Sequence, residues 1–110
     1  MKGTTYSMNC SRNDVVLLPI PFTDLTSRKV RPAIVIGRNT SDLFLVPISS
    51  VLTNTDFPLQ EWRAAGLNVP CGVKAQIATL EEGLVVNIVG AITSVDRQML
   101  DARVRGWLQL

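Results

Sequence analysis

Residues 13–36 read NDVVLLPIPFTDLTSRKVRPAIVI, two apolar, β-rich runs on either side of a polar loop. Asp14–Ile20 (DVVLLPI) is predicted as a strand, with Pro19 marking an edge or a bend because its nitrogen has no hydrogen to give a ladder. Pro21–Arg31 mixes Pro, Thr, Asp and Ser with three basic residues and has no apolar period, so it is predicted as loop. Pro32–Gly37 (PAIVIG) is a second strand, apolar enough to be buried on both faces. Asn39-Thr40-Ser41-Asp42 has turn chemistry and leads into a third strand, Leu43–Ile48. Upstream, residues 1–12 are polar and aperiodic and read as an N-terminal tail, which leaves 13–110 as one domain.

Downstream, Ser49–Thr55 is polar and irregular. Leu59–Ala65 is predicted as a short middle helix closed by Gly66. Val73–Leu80 and Leu84–Ile92 read as two strands joined by a hairpin turn at Glu81-Glu82-Gly83, a solvated one. Thr93 or Ser94 then caps a C-terminal helix, with Thr93 and Asp96 at capping-box spacing. Leu100, Val104, Trp107 and Leu108 fall on one face of that helix, and Trp62 is expected to anchor the middle segment. The expected fold is mainly β (α+β): a small, strongly bent sheet or barrel with a helix packed across it. Such a sheet leaves edges that pairing with a second copy would cover.

The 110 residues are 46% hydrophobic and 18% charged, below the usual quarter for charge, so disorder and a solvated coiled coil are both excluded. Histidine is absent, which removes the commonest general base, every His-containing triad and most zinc sites. Chemistry must therefore run on Arg, Lys, Ser, Thr, Asp, Glu or Cys. The net charge of +2 is unevenly placed: residues 1–38 hold six basic and two acidic groups, whereas 39–110 come out at −2. A basic face suits a polyanion, and a solvated loop accounts for it equally well. Cys10 and Cys71 match no metal spacing and are expected as reduced thiols, Cys71 inert and buried. The first residues lack the apolar core of a signal peptide, and no run has the length of a membrane span, so a cytoplasmic protein is the expectation.

Asp14-Val15-Val16, Pro21-Phe22-Thr23-Asp24 and Arg31-Pro32-Ala33-Ile34-Val35-Ile36 together resemble the opening of the MazF/PemK-like toxins of bacterial type II toxin–antitoxin modules. Members of that family begin with Gly-Asp-Val; Asn13 stands in the glycine's place, and Asn is the next most tolerant of a left-handed backbone. Weaker matches follow in the same order at Val46-Pro47-Ile48-Ser49, Ala65-Gly66-Leu67, Thr79-Leu80 and Gly90, so the resemblance spans 13–108. Because such toxins start a few residues before the first strand, Met8 is a second candidate start. The resemblance implies an SH3-like barrel of the CcdB/MazF type, a homodimer, and an endoribonuclease that cuts single-stranded RNA without metal or other cofactor. In such enzymes the 2′-OH attacks its own phosphate to leave a 2′,3′-cyclic phosphate and a 5′-OH, and a cognate antitoxin covers the RNA site.

The family's catalytic arginine corresponds to Arg31. Its planar fork of donors matches phosphate oxygens, and Pro32 holds it to extended conformations at the strand entrance. Ser49 corresponds to the hydroxyl that closes the third strand, with Ser50 in that role if the register moves by one. Asp24 is the candidate base, against the plainer reading of an Asx turn. Arg28 and Lys29 are expected at RNA phosphates or simply in a solvated loop, with Thr23 beside them, and Phe22 either stacks on a base or packs beneath its own loop. Relatives often carry an acid in the strand matching Val73–Gln76; here it reads Val73-Lys74-Ala75-Gln76, so Lys74 or Gln76 is expected to face the RNA. Two rival functions stand beside this one: a relative that binds RNA or antitoxin without cutting, and a gyrase-binding toxin like CcdB, which would need an available C-terminal tryptophan.

Overall fold

The computed structural model describes residues 9–20 and 29–110, and residues 1–8 and 21–28 lie outside it. Seven strands form one bent sheet: β1 (Asp14–Pro19), β2 (Val30–Asn39), β3 (Asp42–Ser49), β4 (Phe57–Pro58), β5 (Gly72–Val73), β6 (Ala78–Glu81) and β7 (Asn87–Ala91). A single regular helix, α1 (Ser94–Trp107), follows. The strand order is β4-β5-β3-β2-β1-β7, with β6 also paired to β3, and every pairing is antiparallel. The result is a barrel-like, mainly β fold with a C-terminal helix, as expected from the strand pattern. Among the described residues no helix is long and apolar enough to cross a membrane.

The apolar run of β2 is buried on both faces, as its composition predicts. Ile34 joins Val15, Val46, Ile48, Phe57, Val73 and Leu100 in one core cluster. Ala33 and Val35 point the other way, into a second cluster with Val16, Leu18, Leu43 and Leu45. Each fully buried aliphatic side chain of this kind stabilises the fold by about 1.5–3 kcal/mol. Extra residues interrupt the ladders between Val15 and Val16 and between Val35 and Gly37, and such bulges bend a sheet and raise its twist. Asn13 adopts a φ of 80°, the left-handed geometry expected of a residue in a glycine's place. The Asn39–Asp42 turn closes a two-residue hairpin, with Thr40 at a φ of 54°.

Other expectations need correction. Val73–Leu80 is not one strand: β5 ends at Val73, and pairing resumes only at Ala78. Glu81-Glu82-Gly83 is not a hairpin turn, because β6 pairs with β3 and β7 with β1. The chain instead crosses between sheet edges through a 3₁₀ turn at Glu82–Leu84, and strand structure begins at Asn87 rather than Leu84. Nor is Glu82 merely solvated: its carboxylate accepts the Cys10 backbone N–H at 2.8 Å and pairs with Arg38. Within the expected tail, Cys10 is thus packed into the second cluster. Cys71 belongs to the first cluster, and both thiols are free. Leu108 follows α1 as its C-cap and is half exposed, whereas Leu100, Val104 and Trp107 face the core.

The segment expected as a middle helix winds only as irregular turns, with Ala65 N–H bonding to Glu61 and Trp62 carbonyls. Its close at Gly66 is as expected: φ is +95°, Gly66 N–H bonds to Arg63 and Leu67 N–H to Trp62. That pair of bonds is the Schellman pattern of a helix end. Its start is held from a distance. Asp96 does not close a capping box with Thr93; its buried carboxylate accepts the N–H groups of Gln60 at 2.8 Å and Glu61 at 2.9 Å. Asp96 therefore caps the turn from α1, satisfying donors that the turn leaves open. Thr93 donates its hydroxyl to Glu61 instead of capping its own helix. Trp62 packs against the first cluster, with the Arg63 guanidinium 4.9 Å over its ring.

Two outcomes follow. Asp96→Ala orphans two backbone donors and is expected to lower stability by about 3 kcal/mol, read from urea unfolding, with Asp96→Asn losing less. Burial, and then the charge of Glu82, push the Cys10 thiol up from 9.0 to about 11. The folded chain thus keeps a proton that the unfolded chain has lost, so this contribution is full below pH 9 and disappears as pH rises toward 11. Unfolding curves at pH 8, 9.5 and 11 are expected to show the decline, and Cys10→Ala to flatten it.

Candidate active site

The site forms where the sheet splits. The ladder between β2 and β3 ends at Ala33–Pro47. Pro47 has no N–H to offer, and neither has Pro32, the next residue of β2, so the pairing cannot continue regularly. Beyond that point β2 stays with β1, where Arg31 lies opposite Leu18 and Pro32 opposite Leu17. β3 instead goes with β5, where Ile48 lies opposite Val73 and Ser49 opposite Gly72. The Pro47 carbonyl, free of a β2 partner, accepts the Lys74 N–H at 3.0 Å.

A depression of about 320 Å³ opens at this split. One side carries Arg31, Pro32, Ser49 and Ser50, and the facing rim is Val51 together with Leu67, Asn68 and Val69. Ile48 and the Cys71 thiol also contribute, both buried. The β2 and β3 register, carried two residues past Ala33–Pro47, sets Arg31 opposite Ser49. Arg31 is exposed, and its guanidinium has no hydrogen-bond or ion-pair partner among the described residues. Ser49 Oγ accepts the Val51 N–H at 3.0 Å, a strand-end turn, and keeps its own hydrogen to donate. An unpaired guanidinium and a hydroxyl donor beside one cavity can take an anion with tetrahedral oxygens.

Of the residues singled out in the sequence, the structure therefore brings Arg31, Ser49 and Ser50 together. Lys74 and Gln76 do not line the depression; they occupy the irregular link after β5, where Gln76 N–H bonds to the Lys74 carbonyl at 2.8 Å. Lys29 is exposed two residues before Arg31. Phe22, Thr23, Asp24 and Arg28 lie outside the described residues. The lining of the depression contains no carboxylate. Leu67, Asn68 and Val69 were missed in the sequence. Only Gly66 signalled them, since a chain that ends a helical turn at a glycine must leave it in a new direction.

Trp107 is turned inward: its indole Nε1 donates to Asp56 Oδ2 at 3.0 Å, and the ring packs on the first cluster. The Arg103 guanidinium approaches the same carboxylate at 3.5 Å and sits over the Phe57 ring.

No protein-family profile matches the chain, and no curated protein does. Solved structures do. An endoribonuclease from a mycobacterial species, in complex with its cognate antitoxin, is 17% identical with a TM-score of 0.69, covering 94% of this chain and 97% of its own. The Mycobacterium tuberculosis toxin MazF-mt6 is 14% identical with a TM-score of 0.69, over 88% of this chain and 97% of its own. A further mycobacterial endoribonuclease is 16% identical with a TM-score of 0.65, over 96% of both chains.

Burial raises the Cys71 thiol above its ordinary pKa and its Sγ donates to the Val69 carbonyl at 3.2 Å, so little thiolate forms at neutral pH. Iodoacetamide at pH 8 is expected to label Cys71 slowly in the folded protein and at the rate of a free thiol in urea, followed by mass spectrometry. The chain has the fold of the MazF toxin and of these two endoribonucleases along nearly its whole length.

Proposed function

We propose that the protein is a metal-independent endoribonuclease toxin of a type II toxin–antitoxin module, cutting single-stranded RNA. The observation that carries this reading is the meeting of Arg31 and Ser49 at one depression, in a fold shared with toxins and endoribonucleases. The ribose 2′-OH attacks the adjacent phosphorus, the bond to the 5′-oxygen breaks, and the products are a 2′,3′-cyclic phosphate and a 5′-OH. Arg31 donates to the non-bridging oxygens as their charge grows, and Ser49 or its neighbour Ser50 adds a hydroxyl donor. Asp24, in the loop before Arg31, takes the 2′-OH proton. Arg28, Lys29, Thr23 and Phe22 of that loop hold the incoming strand, and Lys74 and Gln76 meet it further along.

The partners of this reading are single-stranded RNA, a second copy of the chain and a cognate antitoxin, in the cytoplasm, with no cofactor. A neighbour of the same fold is an endoribonuclease held by its cognate antitoxin, which supports the antitoxin. The terminal strands β4 and β7 of the sheet order supply edges for self-association. One observation favours a second reading, an RNA-binding relative that does not cut: no carboxylate lines the depression. The gyrase-binding reading is disfavoured by the inward Trp107, whose indole is committed to Asp56.

The test is incubation of long unstructured RNA with the purified protein in EDTA, followed by end-group analysis. Discrete cuts with cyclic phosphate and 5′-OH ends are expected. Arg31→Ala is expected to slow them by about 100- to 1,000-fold with an unchanged circular dichroism spectrum. Undiminished cutting by that variant removes Arg31 from its role, and folded, antitoxin-free protein that cuts nothing favours the binding-only relative.

A further inference from the structure

We propose that Asn68 is a specificity-determining residue that reads the edge of an adenine lodged in the depression beside Arg31. The inference rests on the RNA reading above and deepens it.

The depression has two chemically different sides. Arg31, Ser49 and Ser50 supply donors on one, suited to phosphate and ribose. The other side has Val51 and Val69, about half exposed, flanking Asn68. Apolar faces of this kind suit the flat face of a base, and about 320 Å³ lies at the small end of ligand sites, room for one nucleotide rather than a stacked run. Asn68 is exposed, and among the described residues its side chain makes no hydrogen bond. It is the only amide side chain in the lining. A carboxamide sets one donor beside one acceptor, the complement of the adenine N6–H and N7 pair. Single-stranded RNA offers such base edges unstacked and open to side chains.

Selectivity also requires that the reader be held still. Asn68 follows a turn fixed at both ends. Asp96 holds its start through Gln60 and Glu61, and the Schellman closure at Gly66 holds its end. Gly66 and Gly90 are so closely apposed that a Cβ on either would collide with the backbone of the other strand. The rim carrying Asn68 is thus tied to α1 and β7 rather than hung on a free loop.

The experiment compares single-stranded RNAs that differ in one base at each position flanking a cut, using wild type, Asn68→Ala, Asn68→Asp and Arg31→Ala. Wild type is expected to favour adenine at one of these positions by roughly tenfold or more. Asn68→Ala is expected to lose most of that preference while cutting the non-adenine RNAs within about twofold of wild type. Asn68→Asp keeps the shape but exchanges the donor for a second acceptor, and is expected to turn the preference away from adenine. An adenine preference that survives in Asn68→Ala, or wild type indifferent to adenine, overturns the proposal. Binding of the same RNAs with a 2′-deoxy sugar at the cut is measured in parallel by fluorescence anisotropy. No cleavage by wild type, with an Asn68-dependent adenine preference in binding, overturns the endonuclease reading and upholds this one. Equal binding of all bases overturns this one.

Discussion

Two missing hydrogens organise this molecule. Pro32 and Pro47 sit on neighbouring strands at the level where the sheet would otherwise run on as a regular ladder. With no N–H on either, β2 and β3 separate, and each keeps its other partner. The separation leaves a gap in a surface that is otherwise sealed by backbone hydrogen bonds. The side chains on the parted strand ends, Arg31 and Ser49, are the ones with chemistry to offer. The fold thus makes its cavity by subtraction, and it does so beside a tightly packed core that fixes where both strand ends lie.

The second wall of the cavity is built by a different device. A carboxylate on α1 reaches across to the opening turn of residues 60–66, and two charge-assisted bonds hold that turn in place. The buried charge of Asp96 is tolerable because both of its oxygens are satisfied by donors that would otherwise be orphaned. The helix therefore does more than cover the sheet. Through one side chain it sets the position of the chain that reaches the cavity from the far side.

The parts of this architecture that were legible in the sequence are those written in local chemistry. The doubly apolar run Ala33–Val35, the turn before Asp42, the left-handed Asn13 and the glycine closure at Gly66 follow from the residues themselves. The pairing of Arg31 with Ser49 was legible only through resemblance, because nothing local says that two prolines meet across a ladder. The features that could not be read depend on distant partners. Glu81-Glu82-Gly83 has the composition of a hairpin turn, yet β6 and β7 find β3 and β1 instead of each other. Asp96 has capping-box spacing to Thr93, yet the turn at Gln60 and Glu61 takes its carboxylate. In both cases the local signal was real and a tertiary partner outcompeted it. The loop 21–28, with Asp24, lies outside the described residues.

The contact between Gly66 and Gly90 also constrains how this sequence can change. Each glycine is small because the other's backbone lies against it, so the two positions share one space. A larger residue at either forces the same two segments apart. Once they are apart, a second enlargement at the facing position costs less than it would alone, and the two costs do not add. Gly66 carries the additional demand of its positive φ, so the pair is asymmetric. Mutational drift is then expected to be open only in one order: Gly90 can change first, with a shift of the turn, whereas a first step at Gly66 meets both the collision and the backbone strain.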